Sequence, residues 1–72
     1  MIKSHMIEIT LNGAPQRLDT PLAVVQLLDL QGLAGKRVAV EKNGEIVPKS
    51  RHAEVMIDAG DRIEIVVAVG GG

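Results

Sequence analysis

The chain has no cysteine, phenylalanine, tyrosine or tryptophan among its 72 residues. Without cysteine it can form no disulfide, zinc–thiolate site or side-chain persulfide. Without aromatic rings it offers no platform on which the bases of a single-stranded nucleic acid could stack. A strong charge of either sign is also missing, and a formal net charge of −1 gives no attraction for a phosphate backbone. The two histidines, His5 and His52, have no ligand-spaced partners, so no metal site is expected. No apolar run reaches the length of a membrane span, and the opening residues Met1 to His5 lack the apolar centre of a signal peptide. Nucleic-acid and membrane partners are therefore not expected, and the cytoplasm is the expected setting.

What remains is a short aliphatic chain. Its hydrophobic content of 46% is mostly valine, leucine, isoleucine and alanine. A chain of this size forms one domain and buries only about 60% of the surface its unfolded form exposes. Small domains usually add disulfides or a metal to compensate. Here stability must come from a compact aliphatic core, and a monomer is expected.

The pattern of the chain places that core. Ile7, Ile9 and Leu11 alternate with Glu8, Thr10 and Asn12, the period of a half-buried strand. Asn12-Gly13 supplies a turn able to take positive φ, and Gln16 to Asp19 is expected to return antiparallel with Leu18 inward. Residues 1–5 fit no period, so we expect an expression remnant there, with Met6 as the natural start. Thr20-Pro21 has the form of a helix start, with threonine as the cap and proline at the first helical position. Behind it Val24, Leu27 and Leu28 form one apolar stripe. The helix is expected to end near Leu30, with Gly32 left-handed beyond it and Leu33 folding back onto the core.

Val38 and Val40 begin a second hairpin, whose Asn43-Gly44 dipeptide is the strongest turn signal in the chain. Pro48 ends the returning strand by removing a donor. Lys49 to Glu54 is expected to be a loop or short helical turn, and Val55 to Ile57 a brief extended segment. Asp58-Ala59-Gly60-Asp61 is a tight turn into the last strand, where Ile63, Ile65 and Val67 are expected to face inward. The expected fold is α+β: one helix packed on a mixed sheet of four or five strands, a β-grasp arrangement. It is expected to occupy residues 6–69 and to be followed by a glycine tail over residues 70–72.

The usual catalytic sets are absent. Ser50 and His52 are close in sequence, but a nucleophile and its base need a third orienting group and a pocket. They are expected to be two polar residues of a surface loop. Asp58 and Asp61 are expected to form a turn rather than hold a metal. The candidate that survives is Gly70-Gly71-Gly72, which follows the last core strand without a spacer. A chain end without side chains can thread a narrow channel in another protein, since glycine permits every backbone conformation on the way. Its carboxylate could there be activated to an acyl electrophile. Next to this tail Val66 and Ala68 are expected to point outward, and with Ala39 on a neighbouring strand they are candidates for docking an activating enzyme.

The chain resembles the ThiS family, the ubiquitin-like sulfur carriers of thiazole and thiamine biosynthesis. The resemblance rests on Ile7-Glu8-Ile9-Thr10-Leu11-Asn12-Gly13, Val24-Val25-Gln26-Leu27-Leu28 and the run from Val38 to Pro48. Asp58 to Val66 and Val67-Ala68-Val69-Gly70-Gly71-Gly72 complete it. It implies a carrier without catalysis of its own. An E1-like adenylyltransferase using ATP and Mg²⁺ would convert the Gly72 carboxylate to an acyl adenylate. Sulfur from a cysteine desulfurase persulfide would then give a thiocarboxylate, and thiazole synthase would take up that sulfur. Gly70 and Gly71 would line the threading path, and no cofactor would be bound by the chain itself.

Other readings share parts of this pattern. The small subunit of molybdopterin synthase shares the fold and a Gly-Gly end, but its proline-rich lead-in to the tail is missing here. A ubiquitin-like modifier would end in an isopeptide bond. A pure interaction module would leave the tail idle.

Overall fold

The structure, a computed structural model, describes residues 6–68. The expected remnant over residues 1–5 and the tail glycines Gly70, Gly71 and Gly72 lie outside the described residues.

Two Asn-Gly dipeptides set the two hairpins. Asn12 and Gly13 have φ of 51° and 85°, and Asn43 and Gly44 have φ of 52° and 87°. Two successive left-handed residues make the turn whose twist matches that of antiparallel strands. The first turn joins β1 (Ile7–Leu11) to β2 (Ala14–Leu18), with Ile7 opposite Leu18 and Leu11 opposite Ala14. The second joins β4 (Val38–Lys42) to β5 (Glu45–Val47), with Val40 opposite Val47. The last strand, β7 (Arg62–Val67), lies between the hairpins. It runs parallel to β1 and antiparallel to β4, and the mixed five-stranded sheet has the order β2-β1-β7-β4-β5.

The helix α1 (Val24–Leu30) lays Val24, Leu27 and Leu28 against the sheet, all buried. They join Ile7, Ile9, Val40, Ile63 and Ile65 in one core. Fully burying one such side chain stabilises the fold by about 1.5–3 kcal/mol, which is how a chain without staples holds together. The helix ends as its sequence predicts: Gly32 is left-handed at φ 73°, and the Leu33 N–H donates to Leu28 O over 2.8 Å. One helix across a mixed five-stranded sheet is the expected β-grasp fold.

The start of the helix differs from expectation. Thr20-Pro21 does not cap it. Leu22–Ala23 instead forms a two-residue strand, β3, paired with β6 (Met56–Ile57). This pairing buries Leu22 and Ala23 and moves the helix cap to Ala23. Ala23 has no side-chain acceptor, and its own N–H donates to Gln26 Oε1 over 2.8 Å, which is half of a capping box. The return strand of the first hairpin also begins earlier than expected, at Ala14. Between β5 and β6 a short 3₁₀ turn (Lys49–Arg51) follows Pro48.

Candidate functional site at the end of the last strand

β7 is the strand that leads to the C-terminus, and the polar groups of both hairpin turns are aimed at it. On the β4 side, Asn43 Oδ1 accepts the Arg62 N–H at 2.8 Å, and Asn43 Nδ2 donates to Asp61 Oδ1 at 3.0 Å. On the β1 side, Asn12 Oδ1 accepts the Ile65 N–H at 2.8 Å. The Asn-Gly turns therefore do more than reverse the chain, because each asparagine side chain extends the ladder of the central strand. Asp61 ties the preceding turn by accepting the Asp58 N–H at 2.7 Å, while Lys42 Nζ lies 3.8 Å from its carboxylate. Asp58 and Asp61 are turn-forming residues, as expected. Among the described residues no group of three His, Asp or Glu side chains is placed to hold a metal ion.

Alternation along β7 then sorts its side chains. Ile63 and Ile65 are buried, while Glu64 and Val66 face away from the helix. Val66 is 64% exposed and lies directly opposite Ala39 on β4, itself exposed. Ala68 is exposed too, and its N–H donates to Arg37 O over 2.9 Å, the last ladder bond among the described residues. The three proposed docking residues thus lie on two adjacent chain segments where the described chain leaves the sheet. Val67 departs from expectation. It alternates with Val66 but is 40% exposed.

Ile46 was missed by the sequence reading. It is 72% exposed on β5, opposite Glu41, and Glu41 is in turn opposite Glu64. Its signal was the same alternation: with Val47 inward, Ile46 must face outward. The open face therefore carries an apolar row of Val66 and Ala39 next to a row of Glu64, Glu41 and Ile46.

Ser50 and His52 make no catalytic pair. His52 is not the surface residue expected but is 7% exposed, with Nε2 3.1 Å from Val47 O. It is a hydrogen-bonded core histidine that fixes the 3₁₀ turn to β5. Ser50 is exposed, and both line a shallow groove of about 220 Å³ beside Leu28, Leu33 and Val38. No helix among the described residues is long and apolar enough to cross a membrane.

Comparison with known proteins places this geometry in context. The model of the ThiS family matches residues 9–72. The sulfur carrier protein ThiS of Bacillus subtilis is 42% identical over 65 residues, covering 89% of this chain and 98% of that protein. A thiazole synthase of Paramagnetospirillum magneticum is 41% identical over 66 residues, covering 92% of this chain but 20% of that protein. The chain thus spans about a fifth of the thiazole synthases it matches, which include one from Magnetococcus marinus. The crystal structure of a thiamine biosynthesis protein (ThiS) from Geobacter metallireducens superposes with a TM-score of 0.79 at 32% identity. That match covers 92% of this chain and all of the other.

Proposed function

The chain belongs to the ThiS family of thiamine-biosynthesis sulfur carriers, and from that premise we propose that its working group is the Gly72 carboxylate. In this reading an E1-like adenylyltransferase binds ATP and Mg²⁺, and the carboxylate attacks the α-phosphorus. Pyrophosphate leaves and an acyl adenylate forms. The terminal sulfur of a persulfide, generated by a cysteine desulfurase, then attacks the acyl carbon and AMP departs. A thiol cleaves the remaining S–S bond and leaves a thiocarboxylate, which thiazole synthase consumes. The chain supplies the carried group and the surfaces that its partners bind, while the partners supply the catalysis.

The observation that carries this reading is the central position of β7, the strand that precedes the glycines in sequence. β7 is the central strand of the sheet, the last ladder bond among the described residues is at Ala68, and Val69 and three glycines follow in sequence. Four residues span at most about 13 Å when fully extended, and the three glycines put no side chain in the way of an approaching enzyme. Exposed apolar residues bordered by charge mark interaction sites, so the face of Val66, Ala39 and Ala68 is assigned to the adenylyltransferase.

Mass spectrometry tests the proposal directly. The chain is incubated with an adenylyltransferase, ATP and Mg²⁺, and then with a persulfide donor. The expected products are an AMP adduct on Gly72, followed by exchange of one terminal oxygen for sulfur. An adenylyltransferase that activates another ThiS protein in the same buffer, yet leaves this chain without either product, would overturn it.

A further inference from the structure

Backbone hydrogen bonds along β7 are taken up unevenly on its two flanks. Towards β4 the ladder runs to the end of the strand and one residue further, with the Ala68 N–H donating to Arg37 O. Towards β1 it stops early. The paired residues are Thr10 with Arg62 and Leu11 with Ile63, after which the chain turns away at Asn12-Gly13 into β2, on the far side of β1. Asn12 closes the gap by one more step: its N–H donates to Ile63 O at 2.9 Å, and its Oδ1 accepts the Ile65 N–H. Donor directions alternate along a strand, so the Val67 N–H points to the same flank as that of Ile65. Among the described residues nothing accepts it, and the Ile65 carbonyl on that flank has no donor.

An open strand edge is a ready template for pairing, and proteins usually blunt one with lysine, proline, a bulge or a covering loop. Val66, Val67 and Ala68 bring none of these side chains to it, and Val67 is itself 40% exposed. In sequence the edge is followed by Val69 and the glycine tail. Gly70, Gly71 and Gly72 have no side chains, so any protein that recognises them must do so through their backbone groups and their narrow outline. Strand addition supplies both kinds of recognition, with main-chain hydrogen bonds providing affinity.

Resting on the proposed activation of Gly72, we propose that the free flank of β7, from the Ile65 carbonyl through the Val67 N–H, is a strand-addition site. Its occupant is an extended backbone segment of the adenylyltransferase, which pairs with Val67. An enzyme strand zipped onto β7 thereby has its register fixed ahead of the glycines. A second copy of the chain is the poorer occupant, because two copies paired here would share only the few groups of this short flank, and an isolated two-stranded pairing is marginal in water.

Amide hydrogen exchange tests this on the full chain, free and bound to an adenylyltransferase with ATP and Mg²⁺, quenched and read residue by residue. The free chain is expected to exchange Val67 as an unprotected amide while Ala68 is protected. In the complex, Val67 is expected to slow at least tenfold with Ala68 little changed. Val67→Pro removes this one donor from an edge position, where proline is tolerated. With Val67→Ala as the control for the lost side chain, the proline variant is expected to bind about three- to tenfold more weakly, the effect of one hydrogen bond. If Val67→Pro unfolds, exchange in the unaltered chain decides alone. A complex that forms and yields the AMP adduct while Val67 stays unprotected would overturn the strand-addition site and leave the carrier function intact. Protection of Val67 in the free chain that grows with its concentration would assign the edge to a second copy and overturn it as well. Absence of both complex and adduct would remove the proposed function, and this inference with it.

Discussion

Asn12 combines two properties in one residue: it sits at φ 51°, and its side chain accepts the Ile65 N–H. Two substitutions separate them. Asn12→Gly keeps the left-handed turn and loses the acceptor, so it is expected to destabilise the fold by about 1 kcal/mol, the net value of one such bond. Asn12→Ala loses the acceptor and also places a Cβ in a left-handed conformation, which costs about a further 1 kcal/mol. Urea unfolding of both variants measures the difference, and equal midpoints would show that the backbone conformation adds nothing. Val66 poses a different question at the same scale. Val66→Asp leaves the core intact, so its unfolding free energy is expected to stay within about 0.5 kcal/mol of the parent. Binding to the adenylyltransferase is expected to weaken by about tenfold, as for an apolar contact residue worth somewhat over 1 kcal/mol. Unchanged affinity in a folded variant would release Val66 from the docking face.

At the level of elements, α1 depends on a cap that its sequence does not advertise. Ala23 cannot cap with its own side chain, and the bond from its N–H to Gln26 Oε1 is the local substitute. Gln26→Ala is expected to lower stability by about 1 kcal/mol, despite alanine's better helix propensity. A denaturation curve that moves to higher urea would show propensity outweighing the cap. The reason this start was not legible lies in Leu22-Ala23. A two-residue strand has no period, and its pairing with Met56–Ile57 is a contact across more than thirty residues. Thr20-Pro21, by contrast, has all the local features of a helix start, and tertiary pairing overrode them. The hairpins were legible because Asn-Gly demands its conformation locally, and the helix stripe because Val24, Leu27 and Leu28 share one face. The outward direction of Val66 followed from alternation, whereas the pairing of Val66 directly opposite Ala39 is set by the long-range register of β4 with β7. The exposure of Val67 did not follow, since alternation tells which side a residue takes and not how far it is covered there. His52 was hidden for a similar reason: its neighbours Arg51 and Ala53 are exposed, and only the return of the 3₁₀ turn onto Val47 buries it.

For the whole molecule, folding and the proposed chemistry occupy separate stretches of chain. Among the described residues the core runs from Ile7 to Ile65, and the last ladder bond is that of the Ala68 N–H. Gly70, Gly71 and Gly72 follow in sequence, and neither deleting them nor adding one alanine after Gly72 alters a residue of the described core or ladder. Both variants are expected to unfold within about 0.5 kcal/mol of the parent, as surface changes do. Both are also expected to lose the AMP adduct altogether: the deletion removes the carboxylate that the enzyme reaches, and the added residue moves it one position on and puts a methyl group beside it. The two variants then diverge in binding. The extended chain retains the sheet face and the free flank of β7, so it should still compete with the parent for the adenylyltransferase, whereas the truncated chain lacks the glycine backbone that would continue any strand pairing. An extended chain that is adenylated as well as the parent would mean that the enzyme does not require glycine at the reacting carboxylate. The role assigned to Gly72 would then pass to whichever residue ends the chain.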